Sequence, residues 1–189
     1  RRMPEPIYPC HPENKYILAA ATSYALPEVR NCIHAVKYEN LRNSVVPLAN
    51  LVREYHRANV EPIILKQQNQ WIAIPIPLHK SKLRKRGFNQ NILLYETLMK
   101  TEGISLPPFQ AENLIRVKNT SSQTQCKNFD LREKNVEGCF AIKNAETIDK
   151  KNILLIDDVS TSGATLREAA RVLKAHGAKK IIALVIAKA

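Results

Sequence analysis

The chain has 189 residues, 44% of them hydrophobic and 24% charged, the size and make-up of one globular domain with a proper core. Its four cysteines, Cys10, Cys32, Cys126 and Cys139, are widely spaced with no CxxC pair, which gives no support to a disulfide framework or zinc site and reads as reduced thiols. No apolar run approaches the ~20 residues of a membrane span or forms a signal core; the expectation is a soluble, cytoplasmic protein without membrane insertion, whose net charge of +12 points to nucleic acid or small phosphorylated ligands.

In chain order, residues 1–23 read as an N-terminal arm, since Arg1 to Lys15 is proline-rich and polar. Residue 1 is Arg rather than Met, which suits a trimmed chain. Residues 24–189 read as one domain, opening with a small helical hood over 24–60. Leu26, Val29, Ile33 and Val36 recur at helical spacing, and a second helical pattern runs through Val45, Leu48, Val52 and Tyr55. Lys37 and Tyr38 end the first helix. They either face a ligand or, the commoner case, form a solvated helix C-terminus.

Trp71 to Pro77, WIAIPIP, has the bias of a strand, and its prolines require it to end there or lie at a sheet edge. Lys80, Lys82, Arg84, Lys85 and Arg86 follow within seven residues without an acid, and then Gly87, Phe88, Asn89 and Gln90. Helical spacing resumes through Ile92, Leu93 and Leu98, with Asn89 as candidate N-cap. Leu114 to Val117 is a short strand candidate, Lys118 to Gln125 a polar loop, and Asn128 to Asn135 a charged, helix-compatible stretch. Phe140 to Ile142 and Ile153 to Ile156 read as strands. A helix over Thr165 to His176 carries Leu166, Ala169, Ala170 and Leu173 on one face, with Gly177 as its C′ residue, and Lys180 to Ala187 closes as a buried strand. The alternation predicts an α/β fold: a mostly parallel sheet with helices on both faces and the site at the carboxyl ends of the strands.

Ile153 to Thr165, ILLIDDVSTSGAT, carries the most chemistry. Four branched apolar residues make a strand buried on both faces, and Asp157 and Asp158 follow at its end. Thr161, Ser162, Gly163, Ala164 and Thr165 then sit where helical spacing begins. Backbone N–H groups at a helix start and a glycine free to take φ > 0 can wrap a phosphate. Acids for hydroxyls beside amides for phosphate suit a sugar phosphate. The plain alternative is an Asp pair capping a strand exit, as in response-regulator receivers. Neither GxxxxGK[ST] nor GxGxxG is present, so a P-loop and a dinucleotide fold are excluded.

This stretch resembles the phosphoribosyl pyrophosphate (PRPP) motif of type I phosphoribosyltransferases. The resemblance implies that Asp157 and Asp158, the catalytic candidates, hold the ribose hydroxyls, and that Thr161 to Thr165 hold the 5′-phosphate. Mg²⁺, the implied cofactor, enters on PRPP with no direct protein ligand. His79 and Lys80, in the turn after the proline-fixed strand, are candidates for the pyrophosphate. Asn119, Thr120, Ser122, Gln123 and Gln125 match in position the flexible loop that closes over PRPP; a plain surface connection has the same composition.

PIPLHKSKLRKRGFNQN, NTSSQTQ with Arg132, the turn at Asn135 to Gly138 and IDDVSTSGAT together resemble the ComF family, also called GntX-like or competence protein FC. That resemblance runs from about Tyr24 to the C-terminus. Members commonly carry an N-terminal four-cysteine zinc module, which Cys10 alone cannot replace. Two functions compete, the first implied by the PRPP motif and the second by the family's link with DNA uptake. One is Mg²⁺-dependent phosphoribosyl transfer to an unknown acceptor base; the other is a non-catalytic module for single-stranded DNA and a competence helicase. For the second, Lys82, Arg84, Lys85, Arg86 and Phe88 are the nucleic-acid candidates, Phe88 being equally readable as a core anchor.

Overall fold

In the computed structural model, which describes residues 15–120 and 135–189, four parallel strands carry the fold. They are β1 (Ile17–Ser23), β2 (Trp71–Pro75), β5 (Asn152–Ser160) and β6 (Ile181–Lys188), in the order β1-β6-β5-β2. In β5 every residue except Val159 is buried, as a strand covered on both faces demands. β2 pairs with β5 from Trp71–Asn152 to Pro75–Ile156. Its outer edge is covered by a neighbouring segment: Ala73 N donates to Pro108 O at 2.8 Å, and Gln110 N donates to Ala73 O at 2.9 Å. A proline is tolerated at the end of such a strand, where no further ladder donor is needed.

The two faces follow the period of two. Ile153, Leu155, Ile181 and Ala183 point to α6 (Ala164–Ala175), whose Leu166, Ala169, Ala170 and Leu173 complete that core. Leu154, Ile156, Ile182 and Leu184 point the other way. There they meet Val29 and Ile33 of α1 (Pro27–Tyr38), Leu48 and Val52 of α2 (Val45–Asn59), and Leu94, Tyr95 and Leu98 of α5 (Gln90–Met99). A one-turn α3 (Glu61–Leu65) and a basic α4 (Lys80–Arg86) link these layers. Beside the sheet, β3 (Leu114–Arg116) and β4 (Phe140–Ile142) form an antiparallel ribbon.

Most expected elements are found within a residue or two. Three corrections matter. Ile17–Ser23 falls within the stretch read as an arm, yet it pairs with β6 from Ile17–Ile182 to Ser23–Lys188; ILAAATS is dominated by small residues and carries little strand signal of its own. The basic run Lys80–Arg86 is a helix in its own right. And β5 does not stop at Ile156: pairing with β6 continues through Asp157–Val185 and Ser160–Lys188, so both acids lie inside the strand.

Candidate functional site

The acids sit where the sheet changes partner. β2 ends at Pro75, opposite Ile156, so beyond that point, among the described residues, β5 pairs only with β6, and Asp157 and Asp158 lie in that part of the strand. The helix after β5, α6, lies on one face, while α5, which follows β2, lies on the other. That divergence makes a crevice at the carboxyl ends of the strands, where α/β sheets bind ligands.

Both carboxylates are buried, at 8% exposure for Asp157 and 6% for Asp158. Asp157 Oδ1 accepts from Asn91 Nδ2 and from the Asp158 backbone N–H, each at 3.0 Å. Asp158 Oδ1 accepts from Lys37 Nζ at 2.9 Å, and Oδ2 from Gln90 Nε2 at 2.7 Å. Burial, with the charge of Asp158 beside it, pushes the Asp157 carboxyl up to about 7, against the pull of Lys37 and the two donors. Burial pulls the Lys37 ammonium down, but Asp158 and then Asp157 more than offset this and hold it above its ordinary value.

Gln90 and Asn91 open α5, and Asn89 caps it, its Oδ1 accepting from Asn91 N at 2.9 Å. The Asn89 and Asn91 amides both donate to Ile76 O, at 3.1 and 3.0 Å. Asn91 therefore ties the exit of β2 to the acid of β5 in one side chain. Arg86, at the end of α4, donates to Gln90 Oε1 and lies 5.7 Å over the Tyr38 ring.

The loop after β5 turns on Gly163, at φ 77°, the N-cap of α6. A Cβ there would come within 2.9 Å of Tyr16 Oη and 3.1 Å of Arg167 Nη1, so both backbone angle and space demand glycine. With no side chain at the N-cap, the first-turn amides of α6 have no capping acceptor from it; the Ser162 hydroxyl stands 3.4 Å from Ala164 N. Arg167 Nη1 donates to Ser162 O at 2.9 Å and braces the turn. Thr161, Ser162 and Thr165 are half-exposed, while Gly163 and Ala164 are buried beneath them. Such a turn offers amides and hydroxyls to an anion.

The remaining candidates are distributed unevenly. His79 is the N-cap of α4, its Nδ1 accepting from Ser81 N at 3.3 Å, while Lys80 is exposed. Their turn leaves β2 beside the acids, since Ile76 N donates to Ile156 O at 2.8 Å. Of the loop residues, Asn119 is exposed and Thr120 buried, whereas Ser122, Gln123 and Gln125, like Arg132, lie outside the described residues. Lys82 donates to Thr120 O at 2.8 Å, which fixes the start of that loop to α4. Arg84 and Lys85 are exposed. Phe88 packs on the α1, α2 and α5 core with the Arg42 guanidinium 4.6 Å over its ring; that is the core-anchor reading, and its face is already occupied.

Lys37, Gln90 and Asn91 carry the site as much as the acids do. Lys37 is 121 residues from Asp158 in sequence, and its placement at a helix end allowed both readings. Gln90 and Asn91 close the PIPLHKSKLRKRGFNQN stretch, where nothing local signals that their amides meet acids 66 and 68 residues away.

A parallel sheet with an acid pair and a glycine-opened helix start at its crevice fits an α/β fold of the phosphoribosyltransferase type, and the phosphoribosyl transferase domain family matches residues 109–189. Competence protein ComFC of Bacillus subtilis is 36% identical over 107 residues, which is 57% of this chain and 40% of that protein. Competence protein ComFC of Streptococcus pneumoniae is 31% identical over 117 residues, 62% of this chain and 48% of that protein. DNA utilization protein YhgH of Escherichia coli is 24% identical over 166 residues, 87% of this chain and 68% of that protein. The chain is thus similar to ComF-type, phosphoribosyltransferase-like proteins; its matches span less than half the length of the competence relatives.

Proposed function

We propose that this domain binds PRPP, or a closely related ribose phosphate, and serves DNA uptake as the names of its relatives suggest. The observation that carries the reading is the joining of Asp157 and Asp158 to the Thr161–Thr165 turn in one strand-loop-helix unit at the crevice. The acids accept from the ribose hydroxyls, the turn and the α6 amides hold the 5′-phosphate, and His79 and Lys80 lie on the side where the pyrophosphate leaves. Mg²⁺, entering with PRPP, would neutralise the pyrophosphate leaving group.

In transfer, the lone pair of an acceptor nitrogen forms the new bond to C1 as the C1–O bond to pyrophosphate breaks. The bonding pair leaves with pyrophosphate, and the nitrogen's proton passes to solvent. The chain's part is positioning and charge stabilisation. Isothermal titration with PRPP and Mg²⁺ tests the first step. Wild type is expected to bind, and Asp157→Asn, which removes a carboxylate from the ribose side, to lose binding by at least about tenfold. No heat of binding with wild type would end the proposal.

A second reading, a single-stranded DNA module without turnover, draws on one observation: α4 exposes Lys80, Arg84 and Lys85 with no acid in its sequence.

A further inference from the structure

Two adjacent buried carboxylates at a ligand site need compensating positive charge, because two bare anions in a low-dielectric crevice repel and are poorly solvated. In many sites a divalent cation supplies it. Here the protein supplies its own: Lys37 Nζ lies 2.9 Å from Asp158 Oδ1, in an ion pair only 20% and 8% exposed on its two side chains. Among the described residues it is the cation paired with this acid pair. The other donors to the acids among the described residues are neutral: Gln90 on Asp158, and Asn91 and the Asp158 backbone N–H on Asp157. Lys37 is not a stray surface side chain. It closes the last turn of α1, whose Ile33 and Val36 are buried in the core against the sheet, so the ammonium is delivered by a fixed element.

We propose that Lys37 is the resident counter-cation of the acid pair, so that the acids recognise the hydroxyls of a ribose 5-phosphate unit without a divalent metal. This rests on the PRPP-type reading above and adds a division of labour within it. Each oxygen of Asp158 takes one protein donor and keeps a second lone pair for a sugar hydroxyl. A divalent ion is then confined to the pyrophosphate end of the ligand. Ribose 5-phosphate, which has the hydroxyls and the 5′-phosphate but no pyrophosphate, binds with the same affinity in EDTA as in Mg²⁺, whereas PRPP gains from Mg²⁺. Lys37 is a positioning residue here, acting on the ligand through Asp158.

The test is titration of ribose 5-phosphate into wild type, Lys37→Arg and Lys37→Met, each in EDTA and in Mg²⁺, with PRPP and Mg²⁺ on wild type as the reference. Wild type is expected to bind ribose 5-phosphate equally in both buffers. Lys37→Met is expected to lose at least about tenfold in EDTA and to recover part of it with Mg²⁺ as the acids recruit the missing charge. Lys37→Arg should stay near wild type. The proposal is overturned if wild type binds PRPP with Mg²⁺ but binds ribose 5-phosphate only with metal. It is equally overturned if Lys37→Met binds in EDTA as wild type does. The wild-type comparison needs no variant to fold. Failure of wild type to bind either ligand would instead overturn the PRPP reading on which the proposal stands.

Discussion

At Gly163 the physics of a single residue decides whether the crevice has a floor. Its φ of 77° is open to glycine and strained for other residues by about 1 to 3 kcal/mol, and the Tyr16 hydroxyl, 2.9 Å from where a Cβ would stand, belongs to a side chain that is itself buried. Gly163→Ala is expected to lower unfolding free energy by about 2 kcal/mol, read as a fall in the urea midpoint at unchanged slope. An unchanged midpoint would mean that the turn yields easily and that its geometry is not fixed by glycine. Asn91 is the other single side chain on which much depends, since it joins Ile76 O to Asp157. In the sequence Asn91 is only the last residue of PIPLHKSKLRKRGFNQN; that its amide reaches two strands follows from where α5 lands.

Among the elements, α2 carries a group with no place in the ligand site. His56 is fully buried, and neither ring nitrogen has a hydrogen-bond partner among the described residues. Burial pulls its pKa down from 6.5 to about 4, against the opposing charge of Glu61. As pH falls the unfolded chain takes up this proton first, so the stability His56 allows is complete above about 6.5 and is lost toward about 4. A difference of one pH unit between the folded and unfolded pKa is worth about 1.4 kcal/mol, so the loss comes to about 3 kcal/mol. Asp157, pushed up to about 7, has the opposite sign, because the folded state keeps a proton that the unfolded chain has released. Urea unfolding of wild type and His56→Leu at several pH values separates the two. The variant is expected to lose the fall in stability between pH 6.5 and 4 while keeping the Asp157 contribution; parallel profiles would refute the role given to His56.

For the whole molecule, the net charge of +12 sets how polyanions approach, and α4 concentrates part of it beside the crevice. If single-stranded DNA is a partner, affinity should fall with salt on a log–log slope of about −0.7 per phosphate neutralised. Changing Arg84 and Lys85, both exposed, to Ala should flatten that slope by about one to two contacts. It should leave ribose 5-phosphate binding unchanged, since neither side chain touches the acids. Salt-independent DNA binding, or a double variant with wild-type slope, would remove the DNA reading. Arg86 and Lys82 make poorer probes, because they are engaged with Gln90 and Thr120 and their loss would disturb the site itself.

What the sequence determined by itself was local and contiguous. A buried apolar run, two acids, a glycine turn and a helix start lie within thirteen residues, and chain connectivity alone holds them together. The helical periodicities of α1, α2 and α6 were legible for the same reason, because neighbours at i+3 and i+4 share a face whatever lies opposite. Tertiary structure decided everything that depends on partners distant in sequence. It made a strand of ILAAATS, whose small residues reach the sheet only because β6 offers an edge. It extended β5 through both acids, and it turned Phe88 into the core beneath Arg42. It also brought Lys37, Gln90 and Asn91 to the acids, and with them the charge and hydrogen bonds that two buried carboxylates require.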